Sequence, residues 1–443
     1  MATPPARALE DCLIELFQTL GIGQAHLAAG QLVPSDWVGL AGRYPDSIAS
    51  LTLVSPRLLR PELRALGSRL LVLASDQGPG AAGPAKLLAD LPAARSLVLR
   101  DYECLPWSDV IADRGPEITP ALLDFLDTHP LPAAALPERE GEAAGGTYRI
   151  RGSGPPLVLM PLDLAPSQWE PLIGELAGRY CTITLGGPLV GAVSLLEGRG
   201  RSGYLSIVRT VLDLVRIQPG DVVLEVGGGS GVVLREIARR TAGANRIIDV
   251  DINPYLLREA AALAEREALA GRITFQEGSA EAIPLASSSV DVALSITVME
   301  EGDADKMLAE LVRVTRPGGR IGAIVRSLDL PWWVNLPVGP DLHAKAERAG
   351  SVGAGAAASG CADASLYRRF RAAGLTQLTL FPQLATIDPT IEPFRADAME
   401  QQMLASLTAA EKAEWQQAVA AAKADSTFFI ASPFHCAVGT KPV

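Results

Sequence analysis

The residue types and spacing that could do chemistry begin with a glycine-rich turn, VVLEVGGGSG, at positions 222–231. An apolar segment of strand character carries Glu225, glycines follow at Gly227, Gly229 and Gly231, and VVLREIARR predicts a helix directly afterwards. Glycines let a backbone turn sharply and approach a ligand, and a helix start offers free N–H groups. The spacing G-x-G-x-G differs from the G-x-G-x-x-G of dinucleotide-binding turns. An acid beside such a turn suits a cationic ligand without phosphate.

Further pieces follow this turn in a regular order. RIIDVDINPYLL predicts a second strand that ends in Asp251, and EGSAEAIPL follows a third. VDVALSITVMEE predicts a fourth strand, and MLAELVRVTRPGGRIGAIV predicts a helix, a tight turn and a fifth strand. FFIASPFHCAVGTKP predicts a terminal antiparallel strand. Alternating strands and helices indicate a mostly parallel sheet with helices on its faces.

In this order the pieces resemble the class I S-adenosylmethionine-dependent methyltransferases, especially the branch of the quinone-biosynthesis C-methyltransferases, over about residues 200–443. The resemblance implies a Rossmann-like sheet and S-adenosylmethionine as cofactor. In that family the glycine turn holds the amino-acid part of the cofactor, an acid ending the second strand binds both ribose hydroxyls, and the next residue covers the adenine. The residues that this resemblance places at the cofactor are Tyr204, Glu225, Gly227, Gly229, Gly231, Asp251, Ile252, Ser279, Ala280, Ser295 and Thr297. Ser279 departs from the pattern, because the family commonly has Asp there.

Catalysis of methyl transfer depends mainly on holding the acceptor in line and excluding water. A general base matters only for a poorly nucleophilic acceptor such as a phenol or an enolisable carbon. Glu300 and Glu301, just past the fourth strand, could serve, or they could instead cap the next helix, where acids are favourable. Trp332 and Trp333 could wall an acceptor pocket or pack a loop between domains.

The stretch AHLAAGQLVPSDWVGLAGRYPDSIASLTLVSP, at 25–56, predicts a strand, a sharp turn, a helix and a second strand. It resembles the α/β-hydrolase superfamily, in which such a turn presents the nucleophilic serine of G-x-S-x-G. Ala29, Gln31 and Val33 take the places of the first glycine, the serine and the last glycine, and Cys104 stands where the catalytic histidine would be. The resemblance therefore implies an α/β-hydrolase-like sheet that lacks the catalytic triad.

The segment PPLVLMPLDLAPSQWEPLIGELAGRYCTITL, at 155–185, resembles the beginning of a hydrolase, although it follows the end of one. We hypothesise a circularly permuted sheet in which strands from 147–190 pair beside the strand at 25–29. The predicted domains are a hydrolase-like region at 1–131, a linker at 132–147, hydrolase-like strands at 148–198 that complete the first sheet, and the methyltransferase domain at 199–443. The interval 339–360 is expected to be a mobile loop.

Composition excludes several function classes. The 443 residues carry a formal net charge of −11 without a basic block, which disfavours binding to nucleic acid. The five cysteines form no C-x-x-C pair, and the four histidines are scattered without ligand spacing, so we expect neither a disulfide framework nor a metal site. We find no signal peptide or membrane span, and a reducing cytoplasm fits best.

The sequence therefore predicts an S-adenosylmethionine-dependent methyltransferase acting on a small, apolar or aromatic metabolite. The hydrolase-like region could enclose substrate, form a homodimer or give simple support. A protein that binds S-adenosylmethionine without methylating is the alternative. Arsenite methylation is a rival within the fold, because those relatives use several cysteines, and Cys361 and Cys436 are the candidates here.

Overall fold

The computed structural model describes residues 9–30, 37–56, 61–78, 81, 88, 91–104, 108–144, 146–162, 164–186, 192–349, 356–387 and 393–443. Residues 4–195 and residues 196–443 form separate compact units, which we call the first and the second unit.

The described part of the first unit contains one eight-stranded sheet with the order β4-β3-β2-β1-β7-β8-β6-β5. Its strands are β1 Ala25–Ala29, β2 Ile48–Val54, β3 Leu70–Gln77, β4 Arg95–Glu103, β5 Arg139–Ala143, β6 Gly146–Arg151, β7 Pro156–Leu159 and β8 Cys181–Gly186. Strands β4, β3, β2, β1, β7 and β8 are parallel to one another. Strand β6 runs antiparallel to β8, and β5 runs antiparallel to β6.

Helices cover both faces of this sheet, which is why the central strand β1 is buried along its whole length and is apolar except for His26. The helices are α1 Leu9–Leu20, α2 Trp37–Arg43, α3 Val110–Asp127 and α4 Glu170–Leu176, and short 3₁₀ segments lie at Pro45–Ser47, Pro61–Arg69 and Pro166–Trp169. Leu27 packs in the apolar cluster that contains α1, and its neighbour Ala28 packs in the cluster that contains α3 and α4.

Strand β7 lies directly beside β1, with His26 opposite Leu157, so segments far apart in the chain share one sheet. This is the pairing that the permutation hypothesis predicts. The turn after β1 meets the segment after β7 closely, because a Cβ on Gly30 would lie 2.0 Å from the Leu162 carbonyl oxygen. The residues aligned with the serine and the last glycine of the hydrolase turn, Gln31 and Val33, lie outside the described residues.

The segment 132–147, expected to be a linker, contains β5 and the start of β6. These strands form a hairpin at the edge of the sheet, in which Ala143 is paired with Gly146. The sequence REGEA is mostly polar because both faces of an edge strand can meet solvent, so the apolar alternation that marks a strand is missing.

The second unit is built on a sheet with the order β11-β10-β9-β12-β13-β16-β14, and β15 pairs with β16. Its strands are β9 Val222–Val226, β10 Arg246–Asp251, β11 Ile273–Glu277, β12 Val290–Ile296, β13 Thr315–Arg326, β14 Trp333–Val334, β15 Thr376–Ile387 and β16 Ile430–Thr440. Strands β11, β10, β9, β12 and β13 are parallel to one another. Strand β16 runs antiparallel to β13, as the sequence pattern of the last segment predicts.

Helices flank this second sheet as well. Helix α5 Ala192–Arg199 crosses the boundary between the units in sequence, and the second unit continues with α6 Gly203–Val215, α7 Val232–Arg240, α8 Pro254–Arg266, α9 Ala304–Val314, α10 Pro340–Ala349, α11 Ser365–Ala372, α12 Pro393–Ala405 and α13 Ala409–Ala424. A 3₁₀ turn lies at Ala270–Arg272. The expectation of a loop at 339–360 is wrong over α10, where Pro340 starts a run of good helix formers. Residues 350–355 lie outside the described residues.

The parallel strands of the second sheet end at one edge, and the loops that follow them carry the candidate chemistry. Helices α6, α7 and α8 contribute to the apolar cluster on one face, with Val223 and Leu294 from the sheet. Helices α9 and α11 contribute to the cluster on the other face, with Leu224 and Ala293. The two clusters hold the strands rigidly and so fix the positions of the loops. In the described residues no helix is long and apolar enough to cross a membrane.

Candidate functional site

The glycine turn after β9 has a backbone shape that only glycine adopts without strain. Gly227, Gly229 and Gly231 have φ angles of +68°, +58° and +78°. A Cβ on Gly227 would lie 2.4 Å from Cγ2 of Val298, two residues past the end of β12. A side chain at this position would therefore displace the turn from the sheet edge.

Two carboxylates at the end of β10 fix the turn. The backbone N–H of Gly228 donates to Oδ1 of Asp249 at 3.1 Å, and that of Gly229 donates to Oδ2 of Asp251 at 2.9 Å. Oδ1 of Asp251 also accepts the N–H of Asn253 at 2.8 Å, and Asn253 in turn caps α8. Asp251 is therefore oriented from both sides.

Three buried carboxylates lie on one face of β9 and β10. Glu225 is the register partner of Asp249, and Asp251 lies two residues further along the same strand. Burial, followed by the charges of Asp249 and Asp251, raises the pKa of Glu225 well above its usual range. Burial and the charge of Asp251 raise the pKa of Asp249 well above its range. Oε2 of Glu225 and Oδ2 of Asp249 are buried without a hydrogen-bond partner.

Sequence reasoning missed Asp249 and Gly228. A signal was present in RIIDVD, because an acid inside an otherwise apolar strand lies on the same face as the acid two residues later. The contact between Asp249 and Gly228 depends on how β9 and β10 pair, which one segment alone does not show.

Tyr204 lies at the start of α6, whose N-cap is Ser202. The Tyr204 side chain is buried, and its hydroxyl lies 3.2 Å from Oγ1 of Thr297. Thr297 has a φ of +56°, which is strained for a β-branched residue and is typical of functional sites. The guanidinium of Arg199 lies 5.3 Å from the centre of the Tyr204 ring. These groups meet just past the end of β12.

The remaining cofactor candidates are only partly brought together. Ile252 is 72% exposed, immediately after Asp251. The Gly278 N–H donates to the Asp251 carbonyl at 3.0 Å, which brings the segment with Ser279 and Ala280 to the same edge. Ser279 uses its hydroxyl to accept the N–H of Glu281. Ser295 is buried with its hydroxyl unpartnered, and as the register partner of Val226 it lies on the sheet face opposite to the carboxylates.

The two candidate bases differ in environment. Glu300 is buried, and its Oε1 accepts the Arg326 N–H at 2.7 Å, whereas its Oε2 has no partner. Burial raises the pKa of Glu300 to about 7, against the opposing effect of Arg326. The Glu301 side chain is 57% exposed and forms an ion pair with Arg326 at 3.3 Å. The alternative that these glutamates cap the next helix is wrong, because Asp303 is the N-cap of α9.

The tryptophan pair lies within the second unit. Trp332 packs against an apolar cluster that includes Val334, Met403 and Trp415. Trp333 is 39% exposed and its ring centroid lies 5.3 Å from that of Phe429.

The cysteines and histidines serve packing and hydrogen bonding. Cys361 and Cys436 belong to different apolar clusters on opposite faces of the second sheet, which does not suit joint arsenic binding. His435 bridges the Tyr367 hydroxyl, at 2.8 Å, and Oδ1 of Asp329, at 2.7 Å. No group of three or more His, Cys, Asp or Glu side chains that could hold a metal ion occurs among the described residues.

Comparisons with known proteins bear on this site. Residues 223–319, less than a quarter of the chain, match the family described as "Methyltransferase domain". A ubiquinone/menaquinone biosynthesis C-methyltransferase of Hydrogenovibrio crunogenus is 31% identical over 114 residues, which cover 26% of this chain and 45% of that protein. An uncharacterised protein of Mycobacterium tuberculosis is 39% identical over 109 residues, covering 24% of this chain and 38% of that protein.

The chain thus spans less than half the length of these curated relatives. Among solved structures, the YcgJ protein of Bacillus subtilis is 16% identical with a TM-score of 0.36, covering 54% of this chain and 99% of that one. The family match and the sequence relatives support a class I S-adenosylmethionine-dependent methyltransferase domain in this part of the chain, with S-adenosylmethionine as its cofactor.

Proposed function

We propose that the protein transfers a methyl group from S-adenosylmethionine to a small, apolar or aromatic molecule. The observation that carries this proposal is the glycine turn at the carboxyl edge of the second sheet, held by Asp249 and Asp251 beside Glu225, whose Oε2 is buried without a hydrogen-bond partner. Such a site offers acceptor oxygens and negative charge. It therefore suits a cationic ligand with hydroxyl groups.

The donor set fits this cofactor. Each oxygen of Asp251 already accepts one backbone N–H, and a second lone pair on each can accept a hydroxyl of a ribose diol. Exposed Ile252 offers an apolar surface for the adenine beside it. Ser279 and Ala280 lie at the same edge, next to the Asp251 backbone. The positive φ angles of Gly227, Gly229 and Gly231 give the turn the tight backbone shape that lets a glycine loop approach a ligand, which suits the cofactor's amino-acid part.

The cofactor supplies an electrophilic methyl group, and the chain's own residues position the acceptor and exclude water. The strained Thr297, hydrogen-bonded to Tyr204, is a positioning group at the end of β12. Glu300 is the better candidate base of the two glutamates, because its pKa of about 7 and its unpartnered Oε2 let it take a proton near neutral pH. Glu301 is exposed and paired with Arg326.

The acceptor that we propose is apolar or aromatic. Two features support an apolar or aromatic acceptor: the exposed Trp333 ring after β13, and the relative whose name specifies C-methylation in quinone biosynthesis. A carbon acceptor of that kind needs a base, which agrees with the role proposed for Glu300.

For the first unit we propose a circularly permuted hydrolase sheet without hydrolase activity. The support is the pairing of β7 with β1 and the identity of Cys104 at the place where the family has its catalytic histidine. Enclosure of the acceptor or self-association is the role we propose for this unit. Turnover of a p-nitrophenyl ester above background would contradict the loss of hydrolase activity, and light scattering of the purified protein tests self-association.

The function is tested by incubating the purified protein with methyl-deuterated S-adenosylmethionine and a small-molecule extract of its host, followed by mass spectrometry. We expect a deuterium-labelled product that is absent with Asp251→Ala and present with Asp303→Asn, a matched control because asparagine also caps helices. Cofactor binding without any labelled product would favour the non-methylating alternative. Absence of cofactor binding by calorimetry would overturn the proposal.

A further inference from the structure

An ion pair behind the glycine turn, between Glu197 on α5 and Arg235 on α7, holds Ser230 of the turn. The Ser230 hydroxyl donates to Oε1 of Glu197 at 2.6 Å, and Nη1 of Arg235 donates to the Ser230 carbonyl oxygen, also at 2.6 Å. Nη2 of Arg235 donates to Oε2 of Glu197 at 2.5 Å, which joins the two charged groups. One ion pair therefore holds Ser230 through both its side chain and its backbone.

The contacts of this ion pair are buried and fully used. Ser230 is 1% exposed and Arg235 is 2% exposed. A buried guanidinium is costly unless its N–H groups have partners, and here Nε also donates, to Oε1 of Glu267 at 3.0 Å. All three nitrogens of the guanidinium are thus engaged, so Arg235 has one orientation in which to hold the turn.

The composition of the turn makes Ser230 the place where it can be held by a side chain. Ser230 is the one residue between 227 and 231 that is not glycine. Its neighbours Gly229 and Gly231 both have positive φ angles, and glycine loses more conformational freedom on ordering than any other residue. Contacts that keep Ser230 in place therefore reduce the freedom of the most mobile part of the chain at this sheet edge.

Helix α5 precedes the segment 223–319 that matches the methyltransferase family. Its last turns nevertheless pack on the glycine turn, because a Cβ on Gly229 would lie 3.3 Å from Cδ1 of Leu196, next to Glu197. The contacts of Leu196 and Glu197 place α5 against the side of the turn that faces away from the carboxylates of β10.

We propose that Glu197 and Arg235 are positioning residues for the proposed methyl transfer, and that their ion pair holds the glycine turn in its cofactor-binding shape before the cofactor arrives. This inference rests on the proposed function. Both oxygens of Glu197 are engaged by the protein itself, so Glu197 acts through Ser230 and not by touching the cofactor. A turn that is already ordered pays less entropy on binding, and the cofactor binds more tightly for that reason.

A cavity of about 220 Å³ beside the ion pair makes Glu197 a suitable residue to substitute. Its lining includes Glu197, Arg235, Arg239 and Glu267, and it has room for several water molecules of about 30 Å³ each. Water can therefore reach Nη2 of Arg235 when Glu197 is shortened, while Glu267 and the Ser230 carbonyl keep their bonds to Arg235. Glu197→Ala should consequently fold as the wild type does.

Isothermal titration calorimetry with S-adenosylmethionine tests the inference on four full-length proteins: wild type, Glu197→Ala, Ser230→Ala and the double variant. Loss of a hydrogen bond to a charged group should raise Kd by about tenfold in each single variant. The double variant should bind no more weakly than the weaker single variant, because both substitutions remove the same contact. Glu197→Gln should recover part of the affinity, since its amide oxygen can still accept the Ser230 hydroxyl.

Asp213→Asn is the matched control. Asp213 on α6 forms an ion pair with Arg240, which lies on α7 as Arg235 does but does not contact the turn. This variant should bind the cofactor with the Kd of the wild type.

Amide hydrogen exchange gives a second measurement of the same variants. In the absence of cofactor, a peptide that covers the turn should exchange faster in Glu197→Ala than in the wild type. At saturating S-adenosylmethionine the two proteins should exchange at the same rate, because the cofactor then orders the turn.

The outcomes separate the two proposals. Absence of cofactor binding by the wild type would overturn the proposed function and the inference with it. Binding with the same Kd by the wild type and Glu197→Ala would overturn the positioning role and leave the proposed function standing. Additive losses in the double variant would show that Glu197 and Ser230 act separately, which contradicts the proposed contact.

Discussion

Replacing Gly228 with alanine should destabilise the second unit through a collision with Asp249. A Cβ on Gly228 would lie 2.5 Å from Oδ1 and 2.8 Å from Cγ and Oδ2 of Asp249. Gly228 does not have a positive φ, so its backbone conformation is open to alanine and the collision is the whole perturbation. Asp249 has no free direction to move, because it lies between the strands and the turn with no solvent exposure.

The magnitude follows from two contributions. Forcing an extra methyl group into a packed site costs typically about 1–3 kcal/mol. Separating the Gly228 N–H from the Asp249 carboxylate leaves buried polar groups unpaired, which costs roughly another 1–3 kcal/mol. At the low end the sum is about 2 kcal/mol, which for a unit of this size lowers Tm by about 4–8 °C.

Differential scanning calorimetry of four full-length proteins measures this effect: wild type, Gly228→Ala, Asp249→Ala and the double variant. In the Asp249→Ala background the colliding atoms are gone, so Gly228→Ala should cost less than about 0.5 kcal/mol. Gly229→Ala is the matched control. Its strain comes from a φ of +58° and not from Asp249, so it should cost about 1–2 kcal/mol in both backgrounds. An equal cost of Gly228→Ala in both backgrounds would refute the reasoning.

Two further predictions concern buried titratable groups. Burial raises the pKa of Glu300 to about 7, so the rate of methyl transfer to a carbon or phenol acceptor should rise with pH through 7 as this base ionises. Glu300→Gln should abolish the rise, whereas Glu301→Gln should keep it. Because the folded pKa of Glu300 exceeds its unfolded value, its stabilising contribution is present below pH 4.5 and is lost as pH rises through 7; a calorimetric pH series checks this sign. Burial lowers the pKa of His26 to about 4, so the stability of the first unit should be full above pH 6.5 and fall as pH drops towards 4. His26→Gln can still bond to Ser50 and should flatten that dependence; an unchanged slope would show that another group is responsible.

Local sequence patterns were sufficient to predict much of the fold of the second unit. The alternation of strands and helices after residue 200 predicted the parallel sheet and the antiparallel β16, because each of these elements buries an apolar face that its own residues record. The helix α10 was missed because the glycine-rich stretch after it dominated the composition of the whole interval. The edge strand β5 was missed because its exposed residues carry no apolar alternation.

The candidate site likewise contains residues that local sequence patterns identify and residues that only the tertiary structure reveals. The glycines at 227, 229 and 231 could be found from spacing alone, since a sharp turn needs them whatever lies nearby. Asp249 and its contact with Gly228 could not, because they join residues 21 positions apart through strand pairing. The competing roles of Glu300 could not be separated either, because its burial and its contact with Arg326 arise from the neighbouring strand β13.

By itself the sequence determined the properties that depend on short stretches of chain: the type and order of the elements in the second unit, the glycine turn, and the acid that ends β10. Tertiary structure alone decided which residues meet. The pairing of β9 with β10 turned two ordinary strand positions into the Glu225 and Asp249 pair. The pairing of β1 with β7 joined the two ends of the first unit into one sheet. Strand pairing is a choice among segments far apart in the chain, and the burial that shifts pKa values follows from that choice.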